Sequence, residues 1–388
     1  MIIFFYALFL MLGLSAGLIG TSLPTLTAQF AVPPDQSGLF ISMHTAGAII
    51  GLYVFGRLLD RYNSRTITWA AILCVALGLF GIWVAASLVA VFASILLFGI
   101  GFGAVIVSGN ISVGRMFTTN AASPLNILNL FFGVGGILGP QVVTWALEQG
   151  QVTLAFLAIS VIAAILLPFS FIPNIRPPAR AVDQPKLTWT FSLWAALFPF
   201  IAFMFVYIGA EVGFSSWIYT RVINLTALDA AAASTVVSLF WIGLTSGRLV
   251  GSLLARRLND GVILIGAACA LTASVALILL FPSESIVSAI GTFAFGFAAG
   301  PMFSSVIALV GRLYPENAGQ ISGVILAVAN IGASLIPYMQ GQIGRGIDGG
   351  FIITLISAVV LIGLAVTISA QASTRRLQPA PVTAPKTR

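Results

Sequence analysis

The chain is a succession of apolar stretches, each long enough to cross a bilayer. A helix needs about 20 apolar residues to traverse the hydrocarbon core. Cutting the sequence at its charges, prolines and polar clusters yields twelve such stretches, near 3–25, 38–58, 67–87, 90–113, 124–146, 152–172, 191–218, 231–254, 261–281, 286–309, 319–341 and 350–371. In lipid every backbone N–H and C=O must be satisfied internally, so segments of this kind are helices. Only 7% of residues are charged and mean hydropathy is +1.09, whereas a soluble globule is roughly a quarter charged. The expected fold is an all-α membrane protein with twelve transmembrane helices. The opening "MIIFFYALFL" has no Lys or Arg and no cleavage signal, so it reads as the first span and not as a signal peptide.

The placement of charge excludes other classes and orients the chain. Of seventeen basic residues, fourteen fall beside one set of loops: Arg57, Arg61, Arg65, Arg115, Arg176, Arg180, Lys186, Arg256, Arg257, Arg312, Arg375, Arg376, Lys386 and Arg388. Arg221 and Arg345 fall on the other side, and Arg248 lies within a span. By the positive-inside rule both termini are expected in the cytoplasm, with the protein in the cytoplasmic (inner) membrane. The pI of about 9.9 does not point to nucleic acid, because no basic domain exists to grip a polyanion. Cys74 and Cys269 each sit in an apolar run, which reads as neither a disulfide framework nor a metal site. "GLSAG" (13–17) and "GVGGILG" (133–139) mimic catalytic and dinucleotide motifs but lie inside spans, and no Walker sequence is present. Neither an enzyme, an ATP-driven pump nor a cofactor protein is expected.

The longest break, "PNIRPPARAVDQPK" (173–186), is rich in proline and charge and reads as a linker. It divides the chain into a six-span half at 1–172, a cytoplasmic linker at 173–190, a second half at 191–372 and a tail at 373–388. The halves repeat. "GAIIG" (47–51) matches "GLTSG" (243–247) at an offset of 196. At 197, "FGIGFG" (98–103) matches "FGFAAG" (295–300), Gly135 matches Gly332 and Pro140 matches Pro337. Six spans repeated in one orientation is the plan of a secondary transporter, with solute held between the halves near the midplane.

Ten residues are acidic, and one of them, Glu211, lies inside "YIGAEVGFSSW" (207–217). A charge at the bilayer centre costs about 3 kcal/mol on insertion scales, so such residues face a cavity or a partner. Twenty residues beyond Phe191 is about 30 Å of helix, which places Glu211 in the outer half of span seven. Tyr207, Glu211, Phe214 and Ile218 share one helical face. A carboxyl there can exchange a proton, bind a cation or accept hydrogen bonds from solute hydroxyls; alternatively it is tied to a neighbouring helix. Arg248 falls by count in the cytoplasmic half, too far for a direct pair with Glu211, and is either an anion site or a snorkelling anchor. His44 is a candidate proton relay or a plain helix contact. Asn110, Asn126, Asn129 and Asn330 are polar groups able to line a cavity, and Trp217 and Trp241 are sugar-stacking platforms or interfacial-belt residues.

The loop "GRLLDRYNSR" (56–65) resembles the signature of the major facilitator superfamily. Gly56, Asp60, Arg61 and Arg65 match it, while Asn63 and Ser64 replace the usual Gly-Arg; Asn tolerates the left-handed turn conformation. The resemblance implies the two-bundle major facilitator fold, usually monomeric, with this loop and its repeat at Arg256 as a cytoplasmic gating latch. Asp60 would then face the positive N-terminus of span eleven, near Glu316 to Gly319. "YIGAEVGFSSW", "SGRLVGS" (246–252) and "NLFFGVGGILGP" (129–140) are similar to the fucose/glucose/galactose-proton symporters and the sodium-dependent glucose transporters. Those proton symporters carry a glutamate where Val105 stands here, before Asn110, and span one has no carboxylate. The departure counts against simple proton symport. The reading is a secondary transporter of a small polar solute, a sugar above others, with proton or sodium as candidate coupling ion. The alternative is proton-driven efflux of amphipathic drugs or lipids.

Overall fold

The computed structural model describes residues 1–117, 122–172, 187–343 and 347–377, nearly all of them helical. Span one is two helices, α1 (Ile2–Ala16) and α2 (Leu18–Gln29), broken at Gly17. Spans two to six are α3 (Gly38–Leu59), α4 (Ser64–Val84), α5 (Leu88–Met116), α6 (Ala122–Glu148) and α7 (Leu154–Leu166). Spans seven to nine are α8 (Phe191–Leu225), α9 (Ala230–Leu254) and α10 (Asp260–Leu280). Span ten is again two pieces, α11 (Ser285–Ala299) and α12 (Met302–Leu313), before α13 (Ala318–Ile343) and α14 (Ile347–Leu377). Twelve segments are long and apolar enough to cross a membrane, and each coincides with a stretch expected from the sequence. Most of the expected linker, Arg345 and the end of the tail lie outside the described residues.

Buried apolar side chains form two clusters, one drawn from Phe4 to Ala163 and the other from Leu197 to Ala372. Their helix pairings repeat. In the first, α1 packs on α6, α3 on α5 and α4 on α7; in the second, α8 packs on α13, α9 on α11 and α10 on α14. Across the halves α6 meets α9, α3 meets α13 and α2 meets α8, as a pseudo-two-fold axis between the bundles requires. On that axis Gly20 abuts Ser216, its counterpart at offset 196, and a Cβ on Gly20 would stand 2.8 Å from the Ser216 backbone.

The repeated glycines have a physical cause. A Cβ at Gly51 would fall on the Ile100 carbonyl oxygen, and one at Gly247 on that of Phe297. Gly103 and Gly296 abut the Ala48 and Phe240 carbonyls in the reciprocal direction. Without water to drive apolar burial, helices in lipid are held by close backbone contact, which only small residues permit.

Charges within each half close its ends. Arg115 donates to Asp60 at 3.2 Å and to the Leu59 carbonyl at 3.1 Å, and Arg312 pairs with Asp260. Arg221, counted above as a loop charge, is fully buried because α8 runs on to Leu225. It pairs with Asp348 at 3.0 Å and donates to the Ile278 carbonyl at 3.0 Å, tying spans seven, nine and twelve together.

Gly51→Val and Gly247→Val are each expected to force a helix crossing apart, at an overpacking cost of about 1–3 kcal/mol or more. Thermal unfolding of the detergent-solubilised protein checks this: both should lower Tm, while Gly266→Ala, with nothing within 4 Å, should leave it unchanged.

Candidate functional site

The halves enclose a central cavity of about 220 Å³. The first half contributes Ile19 and Gly20 of α2, His44, Thr45 and Ala48 of α3, Phe102 of α5 and Phe132 of α6. The second contributes Glu211, Val212, Ser215 and Ser216 of α8, Trp241 and Arg248 of α9, and Asn330 and Ala333 of α13. The broken first span and the proline-bearing α6 and α13 pass close to it. Such interruptions are tolerated in membranes where they line a cavity or are packed in protein.

Glu211 is the acidic group of this wall. It interacts electrostatically with Arg248 and hydrogen-bonds the Tyr207 side chain. Tyr207 is fully buried, and its hydroxyl donates to the Ala299 carbonyl at 3.0 Å, at the break in span ten. The Tyr207 hydroxyl has one hydrogen, so Glu211 as a carboxylate competes with the Ala299 carbonyl for it. Aromatic rings cover the other side: His44 lies 4.7 Å from Phe98 and 4.9 Å from Phe102, and Trp241 lies edge-on to Phe132 at 5.7 Å. His44 Nε2 and Trp241 Nε1 are buried without hydrogen-bond partners.

The two ends of the inter-half seam differ. At the end away from the arginine-rich loops, Thr144 and Ser234 hydroxyls meet at 2.6 Å, and Ser238 donates to the Ile137 carbonyl at 2.6 Å. Ser42 donates to the Ser334 carbonyl at 3.0 Å, and Gly38 lies against Pro337 and Tyr338. At the basic end the same helices part. A cavity of about 300 Å³ opens between α6 and α9, and one of about 640 Å³ between α3 and α13. The central cavity is therefore sealed at one end and flanked by openings at the other.

Comparison with known proteins supplies the family. The Major Facilitator Superfamily model matches residues 5–337. The chain belongs to the Major Facilitator Superfamily. The glucose/mannose transporter GlcP of Bacillus subtilis is 24% identical over 386 residues, covering 94% of each chain. Sodium-dependent glucose transporter 1 of Xenopus laevis is 23% identical, covering 77% of this chain and 67% of that one. Among solved structures, the nucleoside transporter NupG superposes with a TM-score of 0.73 at 19% identity, covering 95% of this chain.

Within this superfamily fold the site residues expected from sequence are redistributed. Glu211 lies just past the midpoint of the 35-residue α8. Arg248 lines the same cavity and acts on Glu211 electrostatically, but no ion pair joins the two among the described residues, in keeping with the expectation that they form no direct pair. Tyr207, Phe214 and Ile218 are buried in the second-half core, and the cavity face of α8 is rotated to Ile208, Val212 and Ser215. Trp241 and Asn330 do line the cavity, as does His44.

The remaining candidates lie elsewhere. Asn126 and Asn129 line the side cavity between α6 and α9 together with Arg248. Asn110 is absent from the cavity wall, and its amide donates to the Ile106 carbonyl at 2.9 Å. Trp217 donates to the Pro337 carbonyl at 3.2 Å, a helix-to-helix contact of α8 with α13. In the Gly56–Arg65 loop, Asp60 pairs with Arg115 of its own half and not with span eleven, since the halves are apart here. Asn63 is extended, with φ −65°, and caps α4 by accepting from the Arg65 N–H at 3.1 Å; no left-handed turn exists. Arg61 and Arg256 are exposed at the basic end, and Arg65 is half-buried. Thr45, Ser215, Ser216, Phe102 and Phe132 were not anticipated.

The seal is directly testable. In a background with Cys74 and Cys269 replaced by Ser, Thr144→Cys with Ser234→Cys should form a disulfide spontaneously and lock the seam. Gel mobility under oxidising conditions reads the link. Solute flux should stop and return on reduction.

Proposed function

We propose that this protein carries a hexose or a closely related sugar across the cytoplasmic membrane by alternating access, with Glu211 as the ion-coupling group. The observation that carries the reading is the placement of a single acid, Glu211, in a cavity walled by both halves. A central volume of about 220 Å³ is below the roughly 300–1,000 Å³ of drug-sized pockets, which favours a small solute. One wall is aromatic and the other polar, matching a pyranose with its apolar C–H faces and its rim of hydroxyls. The relatives reported above are transporters named for glucose and mannose, and one for sodium dependence. Efflux of amphipathic drugs or lipids finds no support among them.

The positive-inside rule favours a cytoplasmic location for the basic loops; in this reading the open end faces the cytoplasm, the conformation is inward-facing and both termini are cytoplasmic. The solute is held by Ser215, Ser216, Thr45 and Asn330, with Phe102, Phe132 and Trp241 against its apolar face. A proton or sodium ion arriving at Glu211 changes which partner the Tyr207 hydroxyl serves. Through Ala299 that change reaches the break in span ten, a helix of the moving half. The protein works as a monomer in this scheme, since each chain contains both halves of the site.

Uptake of labelled hexoses into proteoliposomes, with and without proton and sodium gradients, decides the matter. Wild type should accumulate a hexose under one gradient. Glu211→Gln should reduce gradient-driven accumulation at least about tenfold, a loss of roughly 1.4 kcal/mol of coupling, while retaining exchange. If no hexose moves under any gradient, the sugar assignment fails.

A further inference from the structure

An opening of about 640 Å³ is the cleft between α3 and α13 on the basic side of the central cavity. Its walls are Ile49, Ile50, Tyr53 and Val54 of α3 and Leu326 and Ala327 of α13. Ala48 of α3 lines the central cavity. Ile50 lies about 200° round the helix from Ala48, as Val54 does from Leu52, and so turns the opposite way. The cleft therefore wraps α3 from the central cavity to the surface that meets the bilayer. Ile50, Tyr53 and Val54 are exposed along it, and so are Gly323 and Ala327 opposite.

The chemistry of this opening is unlike that of its counterpart. Between α6 and α9 the walls carry Asn126, Asn129, Thr245, Arg248 and Ser252. Here Asn330 and the Tyr53 hydroxyl are the only side-chain polar groups among the lining residues. If both openings existed merely to admit water, nothing would make one polar and the other apolar. Apolar cavities stay dry and take up apolar guests. Around a bundle of membrane-spanning helices the apolar guest at hand is an acyl chain. The mouth adds a charge. Arg57, one turn beyond Tyr53, lays its guanidinium over that ring at 4.2 Å. Among the described residues it has no ion-pair partner. A guanidinium held over an aromatic ring still presents a fork of donors that matches phosphate.

We propose that the cleft binds one bilayer phospholipid, with an acyl chain between α3 and α13 and its phosphate on Arg57. The occupant holds these helices apart at the basic end and so favours the conformation described here. The site adjoins the solute site, with which it shares Leu52 and Asn330, and the proposal does not depend on which solute is carried.

Native mass spectrometry tests it on the full-length protein, released from nanodiscs of phosphatidylcholine mixed with phosphatidylglycerol. Wild type should retain one phospholipid, enriched in phosphatidylglycerol. Ala327→Trp fills the cleft and should weaken retention about tenfold. Gly323→Leu fills it from a position with nothing within 4 Å and serves if the Trp variant does not fold. Arg57→Gln should keep a lipid but lose the headgroup preference, and Arg61→Gln should behave as wild type. Unchanged retention in the cleft-filling variants overturns the proposal. So does delipidated wild type whose Tm rises as much with inorganic phosphate alone as with phosphatidylglycerol, because the site would then be for free phosphate.

Discussion

Close contact between glycine backbones and neighbouring carbonyls is the constraint on which the rest of this architecture depends. At Gly51 and Gly247 the partner helix is so near that no side chain fits. Each half is thereby a stiff body, and stiffness lets relative movement concentrate in the seams between halves. Those seams are built of other material. Hydroxyls and a few backbone contacts join α6 to α9 and α3 to α13 at the sealed end. Bonds of that kind each contribute only about 1 kcal/mol and can be exchanged without disturbing either core.

The fold was legible because lipid removes alternatives: long apolar segments must be helices, and glycines recurring at nearly one offset marked the repeat. The site was legible in part. Glu211 stood out because a membrane carboxylate is costly. The rotation of α8 was misjudged. A helix apolar on nearly every side carries no amphipathic signal, so nothing in the string says whether Tyr207 or Val212 faces the solute. Serine and threonine in the seams escaped notice because within helices they commonly bond to their own carbonyls, as Thr45 does to that of Ile41 at 3.1 Å. Arg221 was misplaced because its buried partners, Asp348 and the Ile278 carbonyl, are remote in sequence.

The two halves repeat in backbone but not in chemistry. Offset 196 sets Glu211 opposite Ser15, and Tyr207 opposite Met11. The acid and the arginine of the wall thus both fall to the second half, and the first supplies mainly aromatic surface together with His44 and Thr45.

The meeting of Gly20 with Ser216 on the pseudo-two-fold axis has a mechanical consequence. Points near the fulcrum of a rocking pair travel least, and points at the far ends travel most. A small molecule lodged beneath that fulcrum would change the side from which it is accessible while scarcely changing position. The work of each cycle is then done at the extremities of the lever and not at the load.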